Sequence, residues 1–210
     1  MLNVIARAHV NRVTEPFGRW LVRLGVTPDA VTVAGTLGSV AAALWFLPRG
    51  QLFFGTLGVT VFVLFDLVDG AVARAKGKGK GTPFGAVLDS TCDRISDGAL
   101  FAALTWWALG VGQARVLGVA ALICLVAGQL ISYIKARAEG AGLRVVGGLV
   151  ERAERLILAL VGTGLAGLGG PYALDVALWV LAATSLWTVG QRLAEARRSA
   201  RDLPPEPAAP

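Results

Sequence analysis

Histidine is almost missing from this chain: His9 is the only one in 210 residues. That excludes imidazole-built zinc sites and Ser-His-Asp triads. Cysteine is nearly as scarce. Cys92 and Cys124 both lie in apolar segments, where a thiol packs as a small hydrophobe, so neither a disulfide nor a thiolate metal site is expected. Charge is thin as well, with charged residues at 16% against 55% hydrophobic, and the mean hydropathy is +0.63. The apolar residues come in runs too long for a soluble domain of this size, so the chain reads as an all-α integral membrane protein.

Six runs approach the ~20 residues that a bilayer requires: 30–48, 53–73, 84–110, 114–136, 153–170 and 172–191. The net charge of +6 is distributed unevenly around them. Arg7, Arg12, Arg19 and Arg23 precede the first run, Arg74, Lys76, Lys78 and Lys80 follow the second, and Arg192, Arg197, Arg198 and Arg201 follow the last. Only Arg49 and Arg115 fall in the alternate connections, which places both termini in the cytoplasm by the positive-inside rule. Residues 1–26 carry arginines through every candidate apolar core of a signal peptide. Their apolar positions, Leu2, Ile5, Val13, Phe17, Trp20, Leu21 and Leu24, recur at helical spacing, so they read as an amphipathic juxtamembrane helix. Residues 27–200 form the membrane domain, and the Pro/Ala-rich end, 201–210, reads as a disordered tail. Gly25 to Asp29 form a break, and Pro28 with Asp29 opens the first membrane helix.

Against this background four aspartates stand out. Asp66, Asp69, Asp89 and Asp93 lie in or beside apolar segments, where an ionised carboxylate costs about 2.5–3.5 kcal/mol on insertion scales. Such residues persist when something compensates their charge. Asp66 and Asp69 are separated as i, i+3 and Asp89 and Asp93 as i, i+4, so on helices each pair occupies one face. Two such faces together offer a cluster of hard oxygen donors, suited to Mg²⁺, Mn²⁺ or Ca²⁺. Gly70 and Gly85 leave the backbone approachable beside them, and Arg74 adds a fork of donors for a phosphate or a base edge. Asp97 continues the Asp89–Asp93 face in a supporting or helix-pairing role. The basic run Lys76-Gly77-Lys78-Gly79-Lys80-Gly81 between the pairs is a flexible loop, suited to an anionic headgroup.

The positions Asp66, Asp69, Gly70, Ala73, Arg74, Gly85, Asp89 and Asp93 together resemble the signature of the CDP-alcohol phosphotransferase family, Asp-x₂-Asp-Gly-x₂-Ala-Arg, a spacer, then Gly-x₃-Asp-x₃-Asp. All eight are present in one register; the spacer, residues 75–84, is longer than is usual in the family. The resemblance implies six transmembrane helices, an N-terminal juxtamembrane helix, a cytoplasm-facing cavity in the cell membrane and a homodimer. It implies two metal ions, Mg²⁺ or Mn²⁺, held by Asp66, Asp69, Asp89 and Asp93, with Asp93 also the catalytic base. It further implies that CDP-diacylglycerol is held by Asp29, Thr32, Asp66, Asp69, Gly70, Ala73, Arg74, Thr82 and Gly85. On local sequence, helix capping alone accounts for Asp29 and Thr32 equally well.

The acceptor alcohol lies outside that signature. Ser132-Tyr133-Ile134-Lys135-Ala136-Arg137 and Glu151-Arg152-Ala153-Glu154-Arg155 supply several cations at the expected cytoplasmic ends of two helices, as a phosphorylated acceptor requires. Flanking positive-inside charge and local Glu–Arg pairs are the plainer account of any single arginine there. These stretches, with the Phe84–Gly98 context, resemble the actinobacterial phosphatidylinositol phosphate synthase branch of the family. The likeness implies inositol 1-phosphate as acceptor, bound by Lys135, Arg137, Arg155 and Arg192 with Tyr133 nearby, while Arg152, Glu139, Glu151 and Glu154 form supporting pairs. Glycerol 3-phosphate is the alternative acceptor. A cation transporter is the alternative outside the enzymes, and the crowding of acids at one face, with only Asp175 near the other, speaks against it. No nucleic-acid partner is expected.

Overall fold

In the computed structural model, residues 25–75 and 82–202 are described, with backbone alone over 66–75. The expected juxtamembrane helix, the Lys/Gly loop and the chain end from 203 lie outside the described residues. Six helices and no strands occur among the described residues: α1, Pro28–Phe46; α2, Leu52–Ala75; α3, Pro83–Leu109; α4, Arg115–Gly140; α5, Arg152–Gly167; α6, Ala173–Arg201. Pro28–Arg49, Arg115–Gly140 and Ala173–Arg201 are long and apolar enough to cross a membrane, and Leu52–Phe65 is a shorter apolar stretch. The outer faces of the helices carry exposed Trp45, Phe54, Leu57, Val119 and Trp187, the pattern of a surface that meets hydrocarbon.

The chain divides into two compact units, residues 1–103 and 104–210. In the first, α1 packs on α2. Small residues line the contact: a Cβ added to Gly58 would come within 2.9 Å of the Ala42 Cβ, and one on Gly38 would strike the Phe62 ring. Close approach of backbones through small side chains is how helices gain packing where no hydrophobic effect drives them together. A 3₁₀ turn, Leu47–Arg49, and Gly50 at φ 78° reverse the chain between the two helices. Arg49 stacks over the Trp45 ring at 4.0 Å and donates to the Trp45 carbonyl, which anchors this return.

In the second unit, α6 packs against both α4 and α5. Ala120, Ala121, Cys124 and Ala127 on α4 and Leu174, Ala177, Leu178 and Leu181 on α6 are almost fully buried. The Cys124 thiol meets the Leu178 carbonyl at 3.5 Å, so it packs as a small hydrophobe with a weak donor. Buried hydroxyls return to their own helices: Thr163 to Ala159 O at 2.7 Å and Thr188 to Thr184 O at 2.8 Å. α6 continues ten residues past the expected span end at 191, to Arg201. That extension carries the polar side chains used below.

Candidate active site

Helix α2 runs unbroken through Asp66, Asp69, Gly70, Ala73 and Arg74, so these five occupy its last three turns at the i, i+3 and i+4 spacings that share a face. Their side chains are outside the described set. Helix α3 begins at Pro83 and brings Asp89 and Asp93 into its second and third turns, one above the other. Asp89 is exposed and Asp93 half-buried. The Arg94 guanidinium lies 3.8 Å from Asp93 Oδ2 and 3.9 Å from Asp97 Oδ2 through the same nitrogen. Arg94 has no place among the site residues expected from the sequence. The i, i+3 spacing to Asp97 was the signal that could have found it.

Two helix starts in this unit are built alike. Thr27 and Thr82 each precede a proline, and each hydroxyl accepts from the amide three residues on: Ala30 N at 3.2 Å and Gly85 N at 2.9 Å. Proline fits the first helical position because its missing N–H is not needed there. Thr27 is therefore the cap of α1, and Asp29 sits in its first turn. A Cβ placed on Gly85 would fall 3.1 Å from Thr82 Oγ1 and 3.5 Å from Asp29 Oδ1. The structure thus brings Asp29, Thr82 and Gly85 together, three of the expected donor-substrate contacts. Thr32 is 4% exposed, and its hydroxyl donates to the Pro28 carbonyl at 3.2 Å.

The donor set fits a hard divalent cation. Asp89 and Asp93 offer carboxylate oxygens on one face of α3 at its polar end, and the neighbouring soft donor, Cys92, is buried. Among the described residues no group of three or more acidic, histidine or cysteine side chains gathers as a ligand set. A larger set requires the α2 aspartates.

The second unit carries the basic residues, and they divide into two kinds. Tyr133, Lys135 and Arg137 are exposed on the last turns of α4. Arg155 and Arg192 are buried, at 1% and 5% exposure. The Arg155 guanidinium lies against Gly128 of α4, where an added Cβ would be 3.6 Å from Nε. Arg192 donates from Nε to Gly147 O at 3.0 Å and from Nη1 to Ile131 O at 2.6 Å. The connection from α4 to α5 is clasped along the same face of α6. Arg144 N donates to Ser199 Oγ at 2.9 Å, Gly147 N to Glu195 Oε2 at 2.9 Å, and Leu149 N to Gln191 Oε1 at 3.1 Å. Sequence reasoning missed Gln191, Glu195 and Ser199, whose only trace is their i, i+4, i+8 polar spacing on α6 beside Arg192. Glu151 and Glu154 form a reciprocal capping box at the start of α5, with Glu151 N donating to Glu154 Oε2 at 3.1 Å.

Comparison with known proteins extends this picture. The model of the CDP-alcohol phosphatidyltransferase family matches residues 25–190. The phosphatidylinositol phosphate synthase of Mycobacterium marinum is 56% identical over 192 residues, 90% of this chain and 81% of that protein. The synthase of the same name from Corynebacterium glutamicum is 50% identical over 200 residues, 95% of this chain and 90% of that one. The crystal structure of the Mycobacterium tuberculosis phosphatidylinositol phosphate synthase with CDP-DAG bound has a TM-score of 0.85 at 53% identity, covering 90% of this chain and 95% of that one. A structure of the M. tuberculosis synthase in complex with manganese and citrate also gives 0.85 at 53% identity, covering 89% and 90%.

Proposed function

The chain belongs to the CDP-alcohol phosphatidyltransferase family, and on that premise we propose that it is a phosphatidylinositol phosphate synthase. It transfers the phosphatidyl group of CDP-diacylglycerol to inositol 1-phosphate and releases CMP. The observation that carries this reading is the identity of half or more of its residues, over nine-tenths or more of its length, to synthases of that name from Mycobacterium marinum and Corynebacterium glutamicum. The eight-residue signature supplies the chemistry. Asp66, Asp69, Asp89 and Asp93 hold two divalent cations, Mg²⁺ or Mn²⁺, and manganese in the M. tuberculosis synthase supports that choice. Cations held there would supply positive charge to offset that of the diphosphate and of the departing CMP.

The chain's own groups do the rest. Asp29, Thr32, Gly70, Ala73, Arg74, Thr82 and Gly85 hold the CDP moiety. Gly85 and Gly70 let the nucleotide reach backbone, and Arg74 meets a phosphate oxygen or base edge. Asp93 takes the proton from an inositol hydroxyl as that oxygen bonds to the β-phosphorus. The bond from that phosphorus to the bridging oxygen breaks, and CMP carries the electron pair away. Arg94, between Asp93 and Asp97, holds the base in orientation. Lys135 and Arg137, supported by Arg155, Arg192 and Tyr133, read the acceptor's phosphate.

The six helices are six membrane spans, preceded by the juxtamembrane helix 1–26 and followed by the tail 201–210. Helix α3 is about 40 Å long at 1.5 Å per residue, and the 16-residue α5 about 24 Å, short enough to require local thinning or flanking snorkelling. Active site and termini face the cytoplasm of the cell membrane, and the protein works as a homodimer. The test is CMP release by the purified protein with CDP-diacylglycerol, a divalent cation and one acceptor at a time: inositol, inositol 1-phosphate or glycerol 3-phosphate. Turnover with glycerol 3-phosphate in place of inositol 1-phosphate would overturn the acceptor and leave the family chemistry intact.

A further inference from the structure

The connection from α4 to α5 contains two adjacent glycines, Gly147 and Gly148, and would wander if left to water. It does not. One stripe of α6 clasps it at Arg144, Gly147 and Leu149, and the clasp is tightest at Gly147, whose N–H goes to Glu195 and whose carbonyl takes Arg192 Nε. A Cβ on Gly147 would collide with the Glu195 carboxylate, and one on Gly148 would be 3.1 Å from Thr188 Cγ2. The segment lies this close to α6, with Glu195 placed to take the Gly147 amide, because both residues lack side chains. Arg192 then reaches across to Ile131 O, one helical turn before Lys135. The connection joins the α4 end that carries Tyr133, Lys135 and Arg137 to the α5 start that carries Arg155. Whatever fixes its path fixes where those cations stand relative to one another.

We propose that Glu195 is a positioning residue for the acceptor's phosphate, acting through Gly147 and Arg192, with Gln191 as a second and weaker clasp; this takes the phosphorylated acceptor of the proposed reaction as given. Glu195 touches neither substrate. Its carboxylate holds the Gly147 peptide where Arg192 can grip both that peptide and α4 at Ile131, and so fixes the last turns of α4, which carry Lys135 and Arg137, against the start of α5. A charge-assisted hydrogen bond from a backbone amide is strong enough to hold such a turn, and an uncharged amide oxygen can still accept it.

The experiment is a steady-state comparison of Glu195→Ala, Glu195→Gln and Gln191→Ala, following CMP release while each substrate is varied in turn. Glu195→Ala is expected to raise the KM for inositol 1-phosphate about tenfold, with the KM for CDP-diacylglycerol and kcat within about twofold. Glu195→Gln restores most of the loss, and Gln191→Ala gives a rise of about threefold. If Glu195→Ala does not yield folded protein, Gln191→Ala and Glu195→Gln carry the test, and an acceptor KM unchanged in Gln191→Ala contradicts the proposal. Equal loss in both KM values, or a Gln variant as impaired as Ala, also contradicts it, since a merely structural clasp predicts that outcome. Wild-type turnover with glycerol 3-phosphate alone would revise the acceptor, and the same KM split would then be read on glycerol 3-phosphate.

Discussion

In the first unit Arg94 finds Asp93 and Asp97 on its own helix, one and three residues away. In the second, Arg192 bonds to Gly147 and Ile131, 45 and 61 residues away along the chain. The contrast sets how each region responds to change. A constellation written into one or two helix faces keeps its geometry as long as those helices form, so substitutions there remove chemistry and leave the fold alone. A constellation tied together by side chains clasping a distant backbone can lose its geometry through residues that never meet the substrate.

The largest effect belongs to the acidic face. Asp89→Asn or Asp93→Asn is expected to lower kcat by at least about 10³-fold, whichever acceptor is offered, with little change in thermal midpoint. Chelation of divalent cations should do the same to the wild type. Asn variants that turn over at near-normal rates would remove the acidic side of the comparison. Next in size, Lys135→Ala or Arg137→Ala should raise the acceptor KM tenfold or more while leaving the KM for CDP-diacylglycerol alone; a fall confined to kcat would break the division between donor and acceptor residues. Gly147→Ala is expected to lower the thermal midpoint and to weaken acceptor binding together, because its Cβ displaces Glu195. Gly85→Ala, with its Cβ 3.1 Å from Thr82 Oγ1 and 3.5 Å from Asp29 Oδ1, should raise the KM for CDP-diacylglycerol several-fold with no effect on the acceptor. The smallest and sharpest test pairs the two helix caps. Thr27→Ala and Thr82→Ala should each cost about 1 kcal/mol of stability, and only Thr82→Ala should also weaken donor binding.

The same contrast explains what could be read from the chain in advance. The starts of the six helices among the described residues, and the positions of the short returns, follow from apolar runs and from Pro48-Arg49-Gly50, Gly110 to Gln113 and Gly169-Gly170-Pro171, local signals that these helices respect to within a few residues except at the end of α6. That each aspartate pair would share a helix face was legible, because spacing on one helix is a property of sequence alone. Asp29 was ambiguous as a cap until the Thr27 hydroxyl was seen in that place. The Arg192–Gly147–Glu195 clasp was not legible, because nothing in α6 says which backbone, 42 to 55 residues back, its polar stripe will meet. Burial divides the basic cluster for the same reason: Lys135 and Arg155 look alike as letters, yet one is exposed and the other is 1% exposed against Gly128.

In the proposed reaction the carboxylates act on the CDP-linked donor, while a phosphate-reading basic cluster selects the acceptor. Measuring CMP release with CDP-diacylglycerol and each acceptor in turn, for the wild type and for Lys135→Ala, tests it most directly. The expected result is turnover with inositol 1-phosphate and none with inositol, with the Lys135→Ala defect confined to the acceptor KM. Equal turnover with unphosphorylated inositol, or a Lys135 variant indistinguishable from the wild type, would contradict it.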